Sequence, residues 1–229
     1  VEHARVEGDL GRFIFLRRGG GLPPQPIDFG DVRVDLAGTE PYGSLAISAR
    51  RVNIDPANEE LTPMSPAFEL WPPDVSMDGS FRVEFPIGES GAAVKNLMVY
   101  RRGRSKWESL GRDDSPGAVG AKTSQLGTYA VMADTVSPKI RILEPGSGSA
   151  LGSRRPELKA EITDGGSGVD TFNATLNGQW LLMEYDPEQD LLRWERDVDL
   201  PPGPATLTIE VTDRAGNAAQ RQIDLMVPN

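Results

Sequence analysis

Polar and apolar positions alternate with a period of two along much of the chain, most cleanly after residue 138. Leu158, Ala160 and Ile162 face one way, while Glu157, Lys159 and Glu161 face the other. Leu207, Ile209 and Val211 are set against Thr206, Thr208 and Glu210, and Ile223, Leu225 and Val227 against Gln222, Asp224 and Met226. One apolar face per strand predicts antiparallel sheets packed face to face. Seven strands are expected here: Lys139–Leu143, Glu157–Thr163, Asn173–Leu176, Gln179–Tyr185, Leu191–Asp197, Ala205–Val211 and Asn217–Val227. Seven short strands at this spacing predict an immunoglobulin-like sandwich over 138–229. Asn177-Gly178 predicts a type I′ hairpin between the third and fourth, because both central residues of that turn need positive φ. Asp186–Asp190 and Asp213–Asn217 close two further hairpins.

The first 134 residues alternate less regularly. Strands are expected at Arg12–Arg17, Asp31–Leu36, Ser44–Ile54, Ala67–Trp71, Phe81–Phe85, Val94–Arg101, Lys106–Leu110, Ala118–Thr123 and Gly127–Ala133. Asp55–Glu60 alone has helical composition, and it is too short to hold a helix by itself. A second, irregular β-sandwich over 1–134 follows. The fold class is therefore all-β, with two sandwiches in tandem. The boundary falls at Ala133–Pro138, where Pro138 keeps the preceding residue extended and the connection short and stiff.

Composition supports this reading. Twenty-five glycines and 19 prolines are scattered between short apolar runs. They make up about a fifth of the chain against a usual share of about 12%, and their dispersal favours many turns over a disordered tract. No apolar run approaches the roughly 20 residues that span a bilayer, so no membrane insertion is expected. Val1 and the lack of an apolar leader read as a mature or trimmed chain. Thirty-four acidic and 24 basic residues give a net charge of −10. The basic pairs Arg17-Arg18, Arg50-Arg51, Arg101-Arg102 and Arg154-Arg155 are dispersed, which disfavours nucleic acid as a partner.

Candidate chemistry is sparse. His3 is the single histidine and there is no cysteine. A zinc hydrolase site with three protein ligands cannot be assembled from these, and a Ser–His–Asp triad would have to recruit His3. Gly19-Gly20-Gly21 runs into Leu22-Pro23-Pro24 and reads as a linker, not a phosphate loop. Asp113-Asp114, Glu59-Glu60 and the Asp186/Glu188/Asp190 group read as solvated turn carboxylates, although a glycosidase could use such a pair across a cleft. Asp164, Asp170, Asp213 and Asn217, with Asp186 and Asp190 at another loop, are candidate calcium ligands. The competing reading is that these side chains bind their own turn backbones while Gly165, Gly166, Gly168 and Gly216 supply positive φ. No cofactor is expected, calcium at these loops being the one alternative. Trp71, Trp107, Trp180 and Trp194 are read first as core or interface residues and second as a sugar-stacking platform.

Three strings carry a resemblance: Gln179–Asp186, Leu126–Thr135 and the Asp213–Asn217 turn. Together they resemble the C-terminal region of secreted LytM/lysostaphin-type metallopeptidases of Gram-negative bacteria. In those proteins β-sandwich modules follow a zinc domain that cuts peptidoglycan cross-links. The matching elements here are Gly127–Val131, Thr135–Pro138, Asn177–Trp180 and Thr212–Asn217. Residues 30–134 are more loosely similar to the sandwich of ankyrins and netrin receptors, through Trp107–Leu110 and Gly127–Tyr129. The peptidase histidines and aspartate have no counterpart in this chain. The resemblance thus implies an accessory, non-catalytic region of a periplasmic, outer-membrane-associated or secreted bacterial protein. Its implied partners are a peptidase domain of the same parent, an envelope protein, or peptidoglycan or another glycan. A surface adhesion or glycan-binding module is the alternative.

Overall fold

The alternating segments form antiparallel strands, 21 of them among the described residues. The computed structural model describes residues 13–20, 26–54, 59–88, 91, 94–194 and 198–229. His3, Arg12, Gly21–Pro24, Asp55–Asn58 and Glu195–Asp197 lie outside them. No helix among the described residues is long and apolar enough to cross a membrane. The chain divides into two units, Val1–Thr135 and Val136–Asn229.

The first unit pairs two sheets. One runs β1 (Phe13–Leu16), β5 (Leu45–Val52), β7 (Ala67–Trp71), β13 (Thr128–Asp134), β9 (Leu97–Arg102), β10 (Trp107–Ser109), with β6 (Leu61–Pro63) also on β13. The other runs β11 (Asp113–Ser115), β12 (Ala118–Gln125), β8 (Ser76–Pro86), β3 (Arg33–Asp35), β2 (Ile27–Asp28), with β4 (Thr39–Pro41) also on β8. Ile47, Leu70, Leu97, Val99 and Val131 of the first sheet pack with Val34, Phe81, Val83, Phe85 and Val119 of the second. Each such side chain taken from water stabilises the unit by about 1.5–3 kcal/mol. The apolar run at Tyr129–Met132 is buried on both faces, since Ala130 and Met132 are as enclosed as Tyr129 and Val131.

Two details lock this unit. The Tyr129 hydroxyl donates to the Gln125 carbonyl four residues upstream, the tyrosine-corner contact seen in immunoglobulin-type sandwiches. On the outer face of the second sheet, Arg82 pairs with Glu84 at 3.2 Å and with Asp113. Gly120 makes room for it: a Cβ there would lie 2.8 Å from the guanidinium. Asp113 therefore belongs to a strand and an ion pair, not to the solvated loop expected of it. The strands Ile27–Asp28, Thr39–Pro41, Leu61–Pro63 and Asp113–Ser115 were not anticipated. They are two or three residues long, and polar residues or prolines interrupt any alternation in them.

The second unit has the order β14 (Lys139–Glu144), β15 (Lys159–Thr163), β19 (Leu191–Trp194), β18 (Met183–Asp186) in one sheet. The other sheet runs β17 (Gln179–Trp180), β16 (Val169–Leu176), β20 (Gly203–Asp213), β21 (Ala218–Val227). In chain order these are the A-B-E-D and C′-C-F-G sheets of an immunoglobulin-like sandwich. Leu158, Ala160, Ile162, Leu192 and Trp194 meet Ala174, Leu176, Leu207, Ile209, Val211, Ile223 and Leu225 in the core. The expected strand Gln179–Tyr185 is in fact two. Leu181 and Met183 turn inward around Leu182, and the chain crosses from one sheet to the other there. The β21 edge is covered by its own chain at Asp224–Met226. Gly148 N–H donates to Asp224 C=O at 2.9 Å, Met226 N–H to Ser149 C=O at 3.0 Å, and Leu151 N–H to Met226 C=O at 2.8 Å.

Candidate binding face of the second unit

The Asn177-Gly178 turn sets the geometry of the site. Asn177 and Gly178 take φ of 51° and 78°, the double positive φ of a type I′ turn. Asn177 Oδ1 accepts the Thr206 N–H at 2.8 Å, and Asn177 N–H donates to Thr206 C=O at 2.9 Å, which ties the turn to β20. This register puts Trp180 opposite Thr175 and Gln179 opposite Leu176. Leu176 faces the core, so Trp180 lies on the outer face with Thr175. Its exposure is 68%.

From Trp180 a row of side chains crosses the sheet through Thr175, Thr208 and Gln222. At three strand spacings it is about 14 Å long. A parallel row is Asn173, Glu210 and Gln220. On the other side of the first row, Thr206 stands beside Asp224 and Pro204 beside Met226. Neighbouring strands are laced together on this face. Gln222 Nε2 donates to Thr208 Oγ1 at 3.1 Å, Gln220 Nε2 to Glu210 Oε1 at 2.8 Å, and Thr206 Oγ1 to Asp224 Oδ1 at 2.9 Å. The result is a lattice of hydroxyl, amide and carboxylate groups, with an indole at one edge and the half-exposed Met226 at the far end.

The four tryptophans separate into two classes. Trp107 and Trp194 are buried, at 5% and 4% exposure, as the core reading expects. Trp71 and Trp180 are exposed, at 46% and 68%. Trp71 belongs to the first unit, at the end of β7 opposite Ser48.

The two acidic loop strings are brought side by side. Arg214 N–H donates to Gly168 C=O at 3.0 Å and Ala215 N–H to Ser167 Oγ at 3.1 Å. Within each loop the carboxylates hold backbone. Asp164 Oδ2 accepts Gly168 N–H at 2.6 Å, and Asp213 accepts Asn217 N–H at Oδ1 and Asn217 Nδ2 at Oδ2, both at 2.8 Å. Gly168 and Gly216 take φ of 89° and 88°. Asp170 is exposed at the head of β16. In the separate Asp186–Asp190 turn, Asp186 Oδ1 accepts Glu188 N–H at 3.0 Å, and Asp190 lies 3.5 Å from the Tyr185 hydroxyl. Glu59 and Glu60 sit in a turn before β6, and Gly20 N–H closes a turn on Arg17 C=O at 3.0 Å.

The outer side chains of β20 and β21 carry no functional signal in the sequence, because a polar residue at every second position is also what any solvated sheet face shows. The distinguishing feature is the indole placed level with them by the hairpin.

No protein-family description matches the chain, and no curated protein matches it. Among solved structures, the endo-β-1,4-mannanase of Thermotoga petrophila is similar at 15% identity, with a TM-score of 0.36. That likeness covers 42% of this chain and 21% of the mannanase, so the chain spans about a fifth of its length. The expansin of Clavibacter michiganensis is similar both in its apo form and as a mutant in complex with cellohexaose. Each shows 18% identity and a TM-score of 0.29, covering 61% of this chain and 72% of the expansin.

Proposed function

We propose that the chain is a non-catalytic accessory region of a bacterial cell-envelope protein that binds an envelope polysaccharide through the outer face of the β17-β16-β20-β21 sheet. The observation that carries this reading is Trp180, exposed and level with the Thr175, Thr208 and Gln222 row. An indole offers a broad apolar face to the C–H side of a sugar ring. Threonine, asparagine and glutamine beside it both donate and accept, as sugar hydroxyls require. One histidine and no cysteine leave this chain short of the ligands of a zinc peptidase site, which supports an accessory role beside such a domain. The parent protein on this reading is a LytM-type peptidoglycan metallopeptidase or a relative, acting in the periplasm, at the outer membrane or outside the cell. That part is supported by the strings at Gly127–Val131, Asn177–Trp180 and Thr212–Asn217.

The test is retention of the purified chain on insoluble polysaccharides, purified sacculi among them, compared with Trp180→Ala. Retention should fall about tenfold in the variant, the equivalent of about 1.4 kcal/mol, with an unchanged circular dichroism spectrum. Equal retention of the two proteins removes this face as the binding surface. Hydrolysis of sacculi by the purified chain, with clean controls, overturns the non-catalytic assignment. A His-x-His string and a distant His-x-x-x-Asp upstream of Val1 in the gene are the expected signs of the peptidase parent.

A further inference from the structure

Charge on the proposed face is one-sided. In the Trp180 and Asn173 rows and the Thr206–Asp224 pair, the ionisable side chains are Glu210 and Asp224, and no lysine or arginine stands among them. Several carboxylates on other strands are neutralised. Glu161 is 2.8 Å from Arg141, Glu84 is 3.2 Å from Arg82, and Glu69 is 2.7 Å from Arg50. Glu210 and Asp224 are held differently. Each takes a single bond from a neutral neighbour, Gln220 Nε2 or Thr206 Oγ1, and among the described residues neither has a cation at ion-pair distance. The bond fixes one oxygen of each group and leaves the other, Oε2 of Glu210 and Oδ2 of Asp224, open to a ligand. Four residues along the strands and one strand across separate the two positions, about 14 Å at the usual rise and spacing. The Thr208/Gln222 row lies between them.

Building on the polysaccharide-binding reading, we infer that Glu210 and Asp224 select a glycan bearing free, protonated amino groups, that is, a glucosamine-type polymer incompletely N-acetylated. An ammonium donates three hydrogen bonds and neutralises the carboxylate it meets. An acetamido or hydroxyl group can bond to the same oxygen but leaves its charge uncompensated. A uronate or phosphate-bearing polymer meets like charge at both positions. Trp180 supplies affinity for the sugar ring whatever its substituent, so the carboxylates govern choice and the indole governs binding as such.

The experiment measures binding of the whole chain to three hexasaccharides at low salt in mildly acidic buffer, where the sugar amines are protonated and the exposed carboxylates still ionised: glucosamine, N-acetylglucosamine and galacturonic acid. The parent chain should bind the glucosamine hexamer about four- to twenty-fivefold more tightly than its acetylated counterpart, at two- to fivefold for each exposed charge contact. The galacturonate should bind least. Glu210→Gln with Asp224→Asn should erase the preference by weakening the glucosamine hexamer more than the N-acetylglucosamine hexamer, and added salt should reduce the preference in the parent alone. Binding without preference for the amine, or a preference that survives the double variant, overturns the selectivity and leaves the binding face standing. Absence of binding to every hexamer, or binding indifferent to Trp180→Ala, overturns both. Oligolysine competing with equal strength, independently of Trp180, also overturns the inference, because the carboxylates would then be a general cation trap and not part of a sugar site.

Discussion

Removing one hydroxyl, through Tyr129→Phe, tests how the first unit is locked. Tyr129 is completely buried and its hydroxyl donates to the Gln125 carbonyl. The variant keeps the ring and its packing but leaves that carbonyl only a 3.4 Å contact from Thr123 Oγ1. Losing the bond and stranding the acceptor costs about 1–3 kcal/mol, a fall in Tm of about 4–12 °C for a unit of this size. The pH dependence gives a sharper signature. Burial pushes the phenol up to about 12 from its ordinary 10, against the Thr123 hydroxyl and the Arg101 charge, which favour ionisation, and with Asp74, which opposes it. Below pH 10 the phenol is protonated in both folded and unfolded chains, and its contribution is fully present. Between pH 10 and 12 the unfolded chain ionises while the folded one resists. The parent then loses about 1.4 kcal/mol per pH unit, or about 2.7 kcal/mol in all. The phenylalanine variant has no such loss. The stability gap in the parent's favour should therefore be fullest near pH 8, shrink steadily above pH 10, and reverse before pH 12 where it starts below about 2.7 kcal/mol. Urea unfolding followed by circular dichroism, fitted as two transitions and repeated in steps from pH 8 to 11.5, measures that gap, and alkaline effects common to both proteins cancel in the difference. A gap that stays constant from pH 9 to 11.5 refutes the reasoning.

Other substitutions probe separate parts of the molecule. Gly79 has φ of 85°, and a Cβ there would come 2.4 Å from the Gly38 carbonyl oxygen; Gly79→Ala should cost about 2–4 kcal/mol in thermal or urea unfolding. Trp107→Ala and Trp194→Ala should each cost about 3–5 kcal/mol. Trp71→Ala and Trp180→Ala should stay within about 0.5 kcal/mol of the parent by the same measurement. Asp213→Ala removes the two carboxylate oxygens that accept from Asn217 and should destabilise the second unit by about 1–3 kcal/mol, with faster amide exchange at Asn217 as the local readout.

The second unit was legible wherever alternation was long enough to count. Leu207, Ile209 and Val211 face the core as their spacing requires, and Asn177-Gly178 turns where its chemistry demands. The split at Leu181-Leu182 was not legible. A run of Trp180, Leu181, Leu182 and Met183 gives no period by which to see a strand leave one sheet and join another. In the first unit, Asp113-Asp114-Ser115 resembles a turn until Arg82 is known to lie across Gly120, a contact between residues 31 apart in sequence. Exposure of Trp180 was equally hidden. Its neighbours Leu181 and Leu182 pull toward the core reading, and only the register against Thr175 places it outside. The loop carboxylates were half legible: acid, glycine and asparagine spell a turn, but not that two such turns abut.

The residues at 148–151 have a consequence beyond local bonding. A sheet whose last strand shows its bare main chain invites another copy to add on. Here the Asp224–Met226 end of that rim is already occupied by the chain's own backbone, so a second copy cannot pair with β21 along that stretch. Lengthening that strap with flexible residues would reopen this stretch of the rim to a second copy.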